Sequence, residues 1–298
     1  MTADSRKPAR PSRKDLSAED IADRIQVLTE SEPFRLATND PDFLEHNDLR
    51  SIRLQLEYLK PERVMRKQDV LSTVIVFGSA RLRSGKQLDA EISALQKGLQ
   101  NAPENKALLA RLEVLSKRKD YVKYYNEARK FASIVSEKFQ ENGRRDFVVV
   151  TGGGPGIMEA ANRGADDVGA RSIGLNIDLP KEQNPNPYIS PELCFQFRYF
   201  ALRKMHFLKR AKDLVAFPGG FGTLDEVFEV LTLVQTDKVP PLPIVLFGKD
   251  YWSKAVDFNF LAQEGFIEPD DLSLFKIVDT AKAAARVISE FYDGKAPY

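Results

Sequence analysis

The stretch STVIVFGS, residues 72–79, is a continuous β-branched and aromatic run that stops on Gly78 and Ser79. Unbroken apolarity over so short a run predicts a strand buried on both faces. Similar runs recur at 147–151, 172–177, 214–217, 244–247 and 275–278, and helical stretches separate nearly all of them. Such alternation predicts an α/β fold, a mostly parallel sheet with helices on both faces. In open sheets of this kind ligands bind beyond the carboxyl ends of the strands, so the residues just after each run carry most of the functional information.

Upstream of residue 72 the chain reads as helical. Ser17 with Asp20 three residues later predicts a capping box, and Ile21, Ile25 and Leu28 follow at helical spacing. Leu49, Ile52, Leu56 and Leu59 continue that period, so residues 16–70 are expected to form a helical extension ahead of a main domain over 71–298. Residues 1–15, rich in Pro, Arg, Lys and Ser, suit a mobile, disordered basic tail. A charged segment at about 86–119 interrupts the alternation, with Leu88, Ile92, Leu95 and Leu99 on one stripe and Leu108, Leu112 and Leu115 on another. The turn residues 101–105 lie between them. The segment predicts an inserted helical hairpin, a surface decoration or a contact between copies rather than a catalytic element, because loop insertions cost little.

Among 298 residues, 44 Lys and Arg nearly balance 43 Asp and Glu, so no global field points to nucleic acid or to an anionic membrane. One cysteine, Cys194, excludes an intramolecular disulfide, and no His/Cys/Asp cluster suggests a metal. No apolar run reaches about 18 residues, and the basic start lacks an apolar segment behind it. Neither a membrane span nor a secretory signal is expected, and a cytoplasmic protein is.

Two glycine-rich turns follow strand runs and lead into helix starts. After the second run stands Thr151-Gly152-Gly153-Gly154-Pro155-Gly156-Ile157-Met158-Glu159, and after the fourth Pro218-Gly219-Gly220-Phe221-Gly222-Thr223. Glycine lets backbone N–H groups approach an anion, and the helix dipole favours negative charge there, so a phosphate at one of these turns is the natural reading. Either turn alone can equally serve close packing. A dinucleotide fingerprint fails in detail, since its third glycine falls at Ile157 and none follows the first strand; a P-loop fails for want of Gly-Lys-Ser/Thr.

The pairing of TGGGPGIMEA with Arg203-Lys204 and PGGFGTLDE resembles the Lonely Guy family of cytokinin riboside 5′-monophosphate phosphoribohydrolases, whose members are often labelled lysine decarboxylases. The resemblance covers about residues 72–266. It implies a doubly wound, Rossmann-like sheet without a dinucleotide, homodimers or larger assemblies, and no cofactor. It also implies cleavage of the N-glycosidic bond of a nucleoside 5′-monophosphate to free base and ribose 5-phosphate. A literal decarboxylase would need a Schiff-base lysine in a dedicated site, and no motif for one is present.

The implied roles follow the motif. Glu226 stands at the family's glutamate, where a carboxylate stabilises the oxocarbenium-like sugar and helps activate water. Arg203 positions substrate or offsets charge on the leaving base, and Lys204 contacts the nucleotide. Phosphate is expected on the backbone of Gly219, Gly220 and Gly222 and on the Thr223 hydroxyl, with Gly152, Gly153, Gly154 and Ser79 also at the substrate. Glu182 and Thr232 are weaker carry-overs. The chain departs from short members in its N-terminal extension, its inserted hairpin, Gly-Ser-Ala-Arg after the first strand and Met158-Glu159. Glu159 is therefore a candidate for the ribose or an opposite subunit, Arg81 is one for phosphate, and AMP stands beside a cytokinin precursor as the expected substrate. The alternative on the same fold is a sensor or carrier that binds a nucleotide without cleaving it.

Overall fold

A computed structural model of the chain describes residues 17–140, 143, 145–179 and 184–295, so the tail over 1–15 lies outside the described residues. The strands are β1 (Thr73–Phe77), β2 (Val148–Thr151), β3 (Ser172–Ile177), β4 (Cys194–Phe197), β5 (Ala211–Ala216), β6 (Ile244–Phe247) and β7 (Phe275–Val278). They form one sheet in the order β4-β3-β2-β1-β5-β6-β7, parallel throughout. The helices are α1 (Ala18–Glu30), α2 (Pro41–Leu44), α3 (Arg50–Lys67), α4 (Gly85–Asn101), α5 (Lys106–Lys117) and α6 (Val122–Phe139). They continue with α7 (Ile157–Asp166), α8 (Phe200–Lys209), α9 (Phe221–Gln235), α10 (Lys249–Ala255), α11 (Phe258–Gln263) and α12 (Ala281–Phe291).

Six strands match the apolar runs, and β4 is the one the sequence reading passed over. It lies at the sheet edge and its four residues alternate exposed and buried, so it carries no continuous apolar run. The strand before Pro218 is consequently the fifth.

Continuous runs are apolar because both faces of the sheet are covered. On β1, Val74 and Val76 join one core with Val149, Phe217 and Phe247 under α6, α7 and α12. Ile75 and Phe77 face the other way, into a core with Phe207, Val227 and Trp252 from α8, α9 and α10 and with Met65 from α3. Truncating such a residue, as in Ile75→Ala, would cost about 2–5 kcal/mol.

The chain winds outward from β1 to β4, then returns to the other side of β1 for β5 to β7. The crevice of such a sheet opens where the winding reverses, here between the ends of β1 and β5. Two backbone bonds hold those ends together, Phe217 N–H to the Phe77 carbonyl at 2.9 Å and Ser79 N–H to the Pro218 carbonyl at 3.0 Å.

Contacts divide the chain into two compact units, the second beginning at Leu56. In the first, α1 opens with the reciprocal Ser17–Asp20 capping box that its sequence predicts, and Ile21, Ile25 and Leu28 are exposed. In the second, the later part of α3 buries Pro61, Glu62 and Met65, whereas Leu56 and Leu59 are exposed. Periodicity found the helix, and the residues it buries lie beyond the leucine stripe, at Pro61, Glu62 and Met65.

The insertion after β1 is the hairpin of α4 and α5, in which Leu88, Ile92 and Leu115 close a small core of their own. Glu159 on α7 ties it down, accepting from Gln87 Nε2 at 3.1 Å and from the Tyr125 hydroxyl at 2.8 Å. No helix among the described residues is long and apolar enough to cross a membrane.

Candidate functional site

A cavity of about 910 Å³ opens at the switch point, walled by the turns after β1, β2 and β5 and by α8 and α9. The turn after β5 is built so that its acceptors are used and its donors are free. The Pro218 carbonyl takes Ser79 N–H, the Gly219 carbonyl takes the Tyr251 hydroxyl at 2.6 Å, and the Gly220 carbonyl takes Thr223 and Leu224 N–H. None of the backbone N–H groups from Gly219 to Gly222 has a backbone acceptor among the described residues. Those at the start of α9 are the orphan donors of any helix N-terminus, where the dipole adds partial positive charge.

The glycines of this turn differ in purpose. A Cβ on Gly219 would overlap the Thr223 side chain, so that glycine permits internal packing. A Cβ on Gly220 or Gly222 would meet nothing within 4 Å. Nothing inside the chain requires those two to be bare, and both line the cavity, which is what close approach of a ligand needs.

One turn into α9, Glu226 is only 6% exposed and faces the cavity. Burial raises its carboxyl to about 7 against the opposing pull of Lys204 and Arg203. Arg203 reaches in from α8, its Nη2 at 3.6 Å from Glu226 Oε1, and its buried Nε has no hydrogen-bond partner. Its guanidinium lies over the rings of Phe200 and Phe207, and burial lowers its pKa.

Helix α8 is held in place by α3. Glu57 Oε1 accepts Arg198 N–H at 2.7 Å and Tyr199 N–H at 2.9 Å, acting as a cap at a helix start that has none of its own. His206 Nε2 meets the Tyr58 carbonyl at 3.1 Å, so this histidine packs and bonds locally, away from the cavity. Glu62 takes both terminal nitrogens of Arg210 at 2.9 Å, with Lys209 and Arg66 around it. Bonds from Arg210 bring its carboxyl down to about 2.

The remaining sequence candidates separate. Ser79, Gly152 and Gly154 line the cavity with Gly219, Gly220, Gly222 and Thr223. Gly153 does not; it has φ +72° and its carbonyl accepts Asn186 N–H at 2.8 Å, so it shapes the turn. In the helix after this turn the first donor is already used, Ile157 N–H bonding the Ser79 carbonyl at 3.1 Å. Lys204 does not line the cavity; it bonds Asp225 at 2.8 Å and Glu229 at 2.9 Å, pinning α8 to α9 beside Arg203. Glu159 is buried in the anchor of the insertion, and Thr232 is an exposed residue that bonds the Phe228 carbonyl at 2.7 Å, so neither reaches the cavity. Glu182 lies outside the described residues.

Several wall residues escaped the sequence reading, among them Arg118, Tyr121 and Tyr251. Arg118 and Tyr121 come from the 3₁₀ turn that ends the insertion, so this segment is part of the cavity wall and not only surface decoration. Tyr251 follows β6 by a few residues, the one signal that could have marked it.

Residues 158–288 match the family model described as possible lysine decarboxylase. The cytokinin riboside 5′-monophosphate phosphoribohydrolase LOG3 of Arabidopsis thaliana is 30% identical over 153 residues, covering 49% of this chain and 69% of that protein. LOG7 of the same plant, with the same described activity, is 29% identical over 153 residues, covering 50% and 68%. Among solved structures, the Moco carrier protein from Chlamydomonas reinhardtii aligns over 75% of this chain and 99% of its own at 16% identity and a TM-score of 0.43.

Proposed function

The chain belongs to the Lonely Guy family of cytokinin riboside 5′-monophosphate phosphoribohydrolases, and from that premise we propose that it hydrolyses the N-glycosidic bond of a nucleoside 5′-monophosphate. The observation that carries the proposal is the facing of Glu226 and Arg203 within one cavity beside the open N-terminus of α9. Thr223 and Glu226 are three residues apart, on one face of α9 and separated by about 4.5 Å of rise. A 5′-phosphate on the N–H groups around Gly220 and on the Thr223 hydroxyl therefore sets its sugar beside Glu226.

As the bond between C1′ and the base nitrogen breaks, its electron pair goes to the base and positive charge develops on the sugar. The Glu226 carboxylate stabilises that charge and takes a proton from the water whose oxygen bonds C1′. Arg203 offsets the negative charge on the base until it acquires a proton from solvent. A carboxyl near 7 suits this work, because its two forms are both populated near neutral pH. AMP or a cytokinin riboside monophosphate is the substrate, and two copies of the chain form the working assembly, as the family resemblance implies.

The test is incubation of purified protein with AMP, other nucleoside monophosphates and isopentenyladenosine monophosphate, with free base and ribose 5-phosphate separated by chromatography. Release that disappears in Glu226→Gln and Arg203→Ala supports the reading. Binding without release from any of them overturns it in favour of a nucleotide sensor or carrier.

A further inference from the structure

The turn after β5 presents two successive carbonyls to two different elements. Pro218 is held from the turn after β1 by Ser79 N–H at 3.0 Å, and Gly219 is held from α10 by the Tyr251 hydroxyl at 2.6 Å. A trans peptide is planar and sends its carbonyl and its N–H to opposite edges, and no cis peptide occurs among the described residues. Fixing the Gly219 carbonyl toward Tyr251 therefore turns the N–H of Gly220, which belongs to the same peptide, away from Tyr251. Gly220 lines the cavity, and that N–H has no backbone acceptor among the described residues.

The peptide needs such a hold. Glycine stands on both of its sides, so its own side chains set almost no barrier to rotation. Once rotated, it would present a carbonyl oxygen where it now presents a hydrogen, and an anion would be repelled there instead of bound.

Tyr251 is in turn fixed by its surroundings. Its half-buried ring meets Trp252 edge-on with centroids 5.3 Å apart, and the buried Trp252 Nε1 donates to the Ala216 carbonyl at 3.3 Å. Two successive residues of α10 thus hold the end of β5 and the turn that follows it. The start of α10 is tied to the end of β7, Gly248 N–H bonding the Val278 carbonyl at 2.8 Å and Lys249 N–H the Asp279 carboxylate at 2.8 Å. Burial raises the Tyr251 pKa, so the hydroxyl keeps its proton. A phenol has one hydrogen to give, and this one is used on Gly219. None is left for a phosphate, so Tyr251 acts on an anion through the peptide it holds.

We propose that Tyr251 is a positioning residue for the reaction, locking the Gly219–Gly220 peptide in the orientation that offers Gly220 N–H to the 5′-phosphate of the substrate. The proposal rests on the reading of Gly219–Thr223 as the seat of that phosphate.

Calorimetry with AMP and adenosine on the full chain, in wild type and in Tyr251→Phe, tests it, with thermal melts to check folding. The ratio of the two affinities reports what the phosphate contributes. It should fall about tenfold in Tyr251→Phe, about 1.4 kcal/mol, with adenosine affinity unchanged. In turnover the same variant should raise KM for AMP about tenfold and keep kcat within about twofold, as loss of uniform binding does. Replacing Tyr251 by a ring-difluorinated tyrosine keeps the packing should the phenylalanine variant not fold. Its ratio, relative to wild type at the same pH, should hold while the phenol is protonated and fall as the phenol ionises, because a phenolate has no hydrogen to donate. A ratio that stays put in either folded variant, or a loss shared equally by AMP and adenosine, overturns the positioning role. Base release from AMP on the same preparation separates the two readings: release with an unmoved ratio sinks the role of Tyr251 alone, and a ratio that falls without release from any nucleotide sinks the hydrolase alone.

Discussion

Arg203 and Glu226 hold opposite charges 3.6 Å apart inside the cavity without closing a hydrogen bond. A pair serving stability would close to about 2.8 Å and satisfy its remaining donors, yet Arg203 Nε is left bare. Such an open pair leaves donor capacity on Arg203 for a bound ligand. Glu226→Gln should therefore keep nucleotide affinity within about threefold while lowering kcat by about 10²–10⁴. Calorimetry against base release checks both halves, and near-normal turnover in the variant removes Glu226 from the mechanism.

The same carboxyl sets a pH dependence. Its reactive form is the base, so kcat should climb as pH rises through about 7 and level off above, and Glu226→Gln should lose the inflection. Stability runs the other way. A folded pKa near 7 over the ordinary glutamate value of 4.5 means that the folded state holds the proton more tightly, so the cost of ionisation appears as pH rises through that window. Melting curves of variant and wild type should diverge in the variant's favour from about pH 5 to about pH 8, by at most about 3 kcal/mol. Parallel curves across that range would contradict the raised pKa.

Gly222 separates folding from binding. Alanine there meets no neighbour within 4 Å and has the higher helix propensity, so Gly222→Ala should match or exceed wild-type stability by up to about 1 kcal/mol. Its methyl group intrudes where the phosphate is proposed to lie, and KM for AMP should rise by about tenfold or more. An unchanged KM would place the phosphate elsewhere.

Glu57 acts on the site through α8. Glu57→Ala removes the cap at Arg198 and Tyr199 and should cost about 1 kcal/mol, seen as a fall of a few degrees in Tm. Because Arg203 rides on that helix, kcat should fall with it, and Glu57→Gln, which keeps an acceptor, should restore most of both. Loss of stability with kcat intact would make Glu57 structural only.

What the sequence determined by itself is what depends on near neighbours. Unbroken β-branched runs state that β1, β2 and β6 are buried on both faces, and Pro218-Gly219-Gly220 followed by an amphipathic stretch states a tight turn and a helix start with Glu226 one turn in. Backbone dihedrals and periodicity are set within a few residues, so these features are legible locally. The tertiary structure decided how the donors of two similar glycine turns are used, as in the bond between residues 78 positions apart by which the Ser79 carbonyl takes the N–H of Ile157. It also withdrew Lys204 from the cavity, since Asp225 and Glu229 reach it across a helix contact, and it brought Arg118 and Tyr121 in from an insertion that looked peripheral. Charge pairing and cavity walls depend on which elements pack together, and no spacing along the chain encodes that distance.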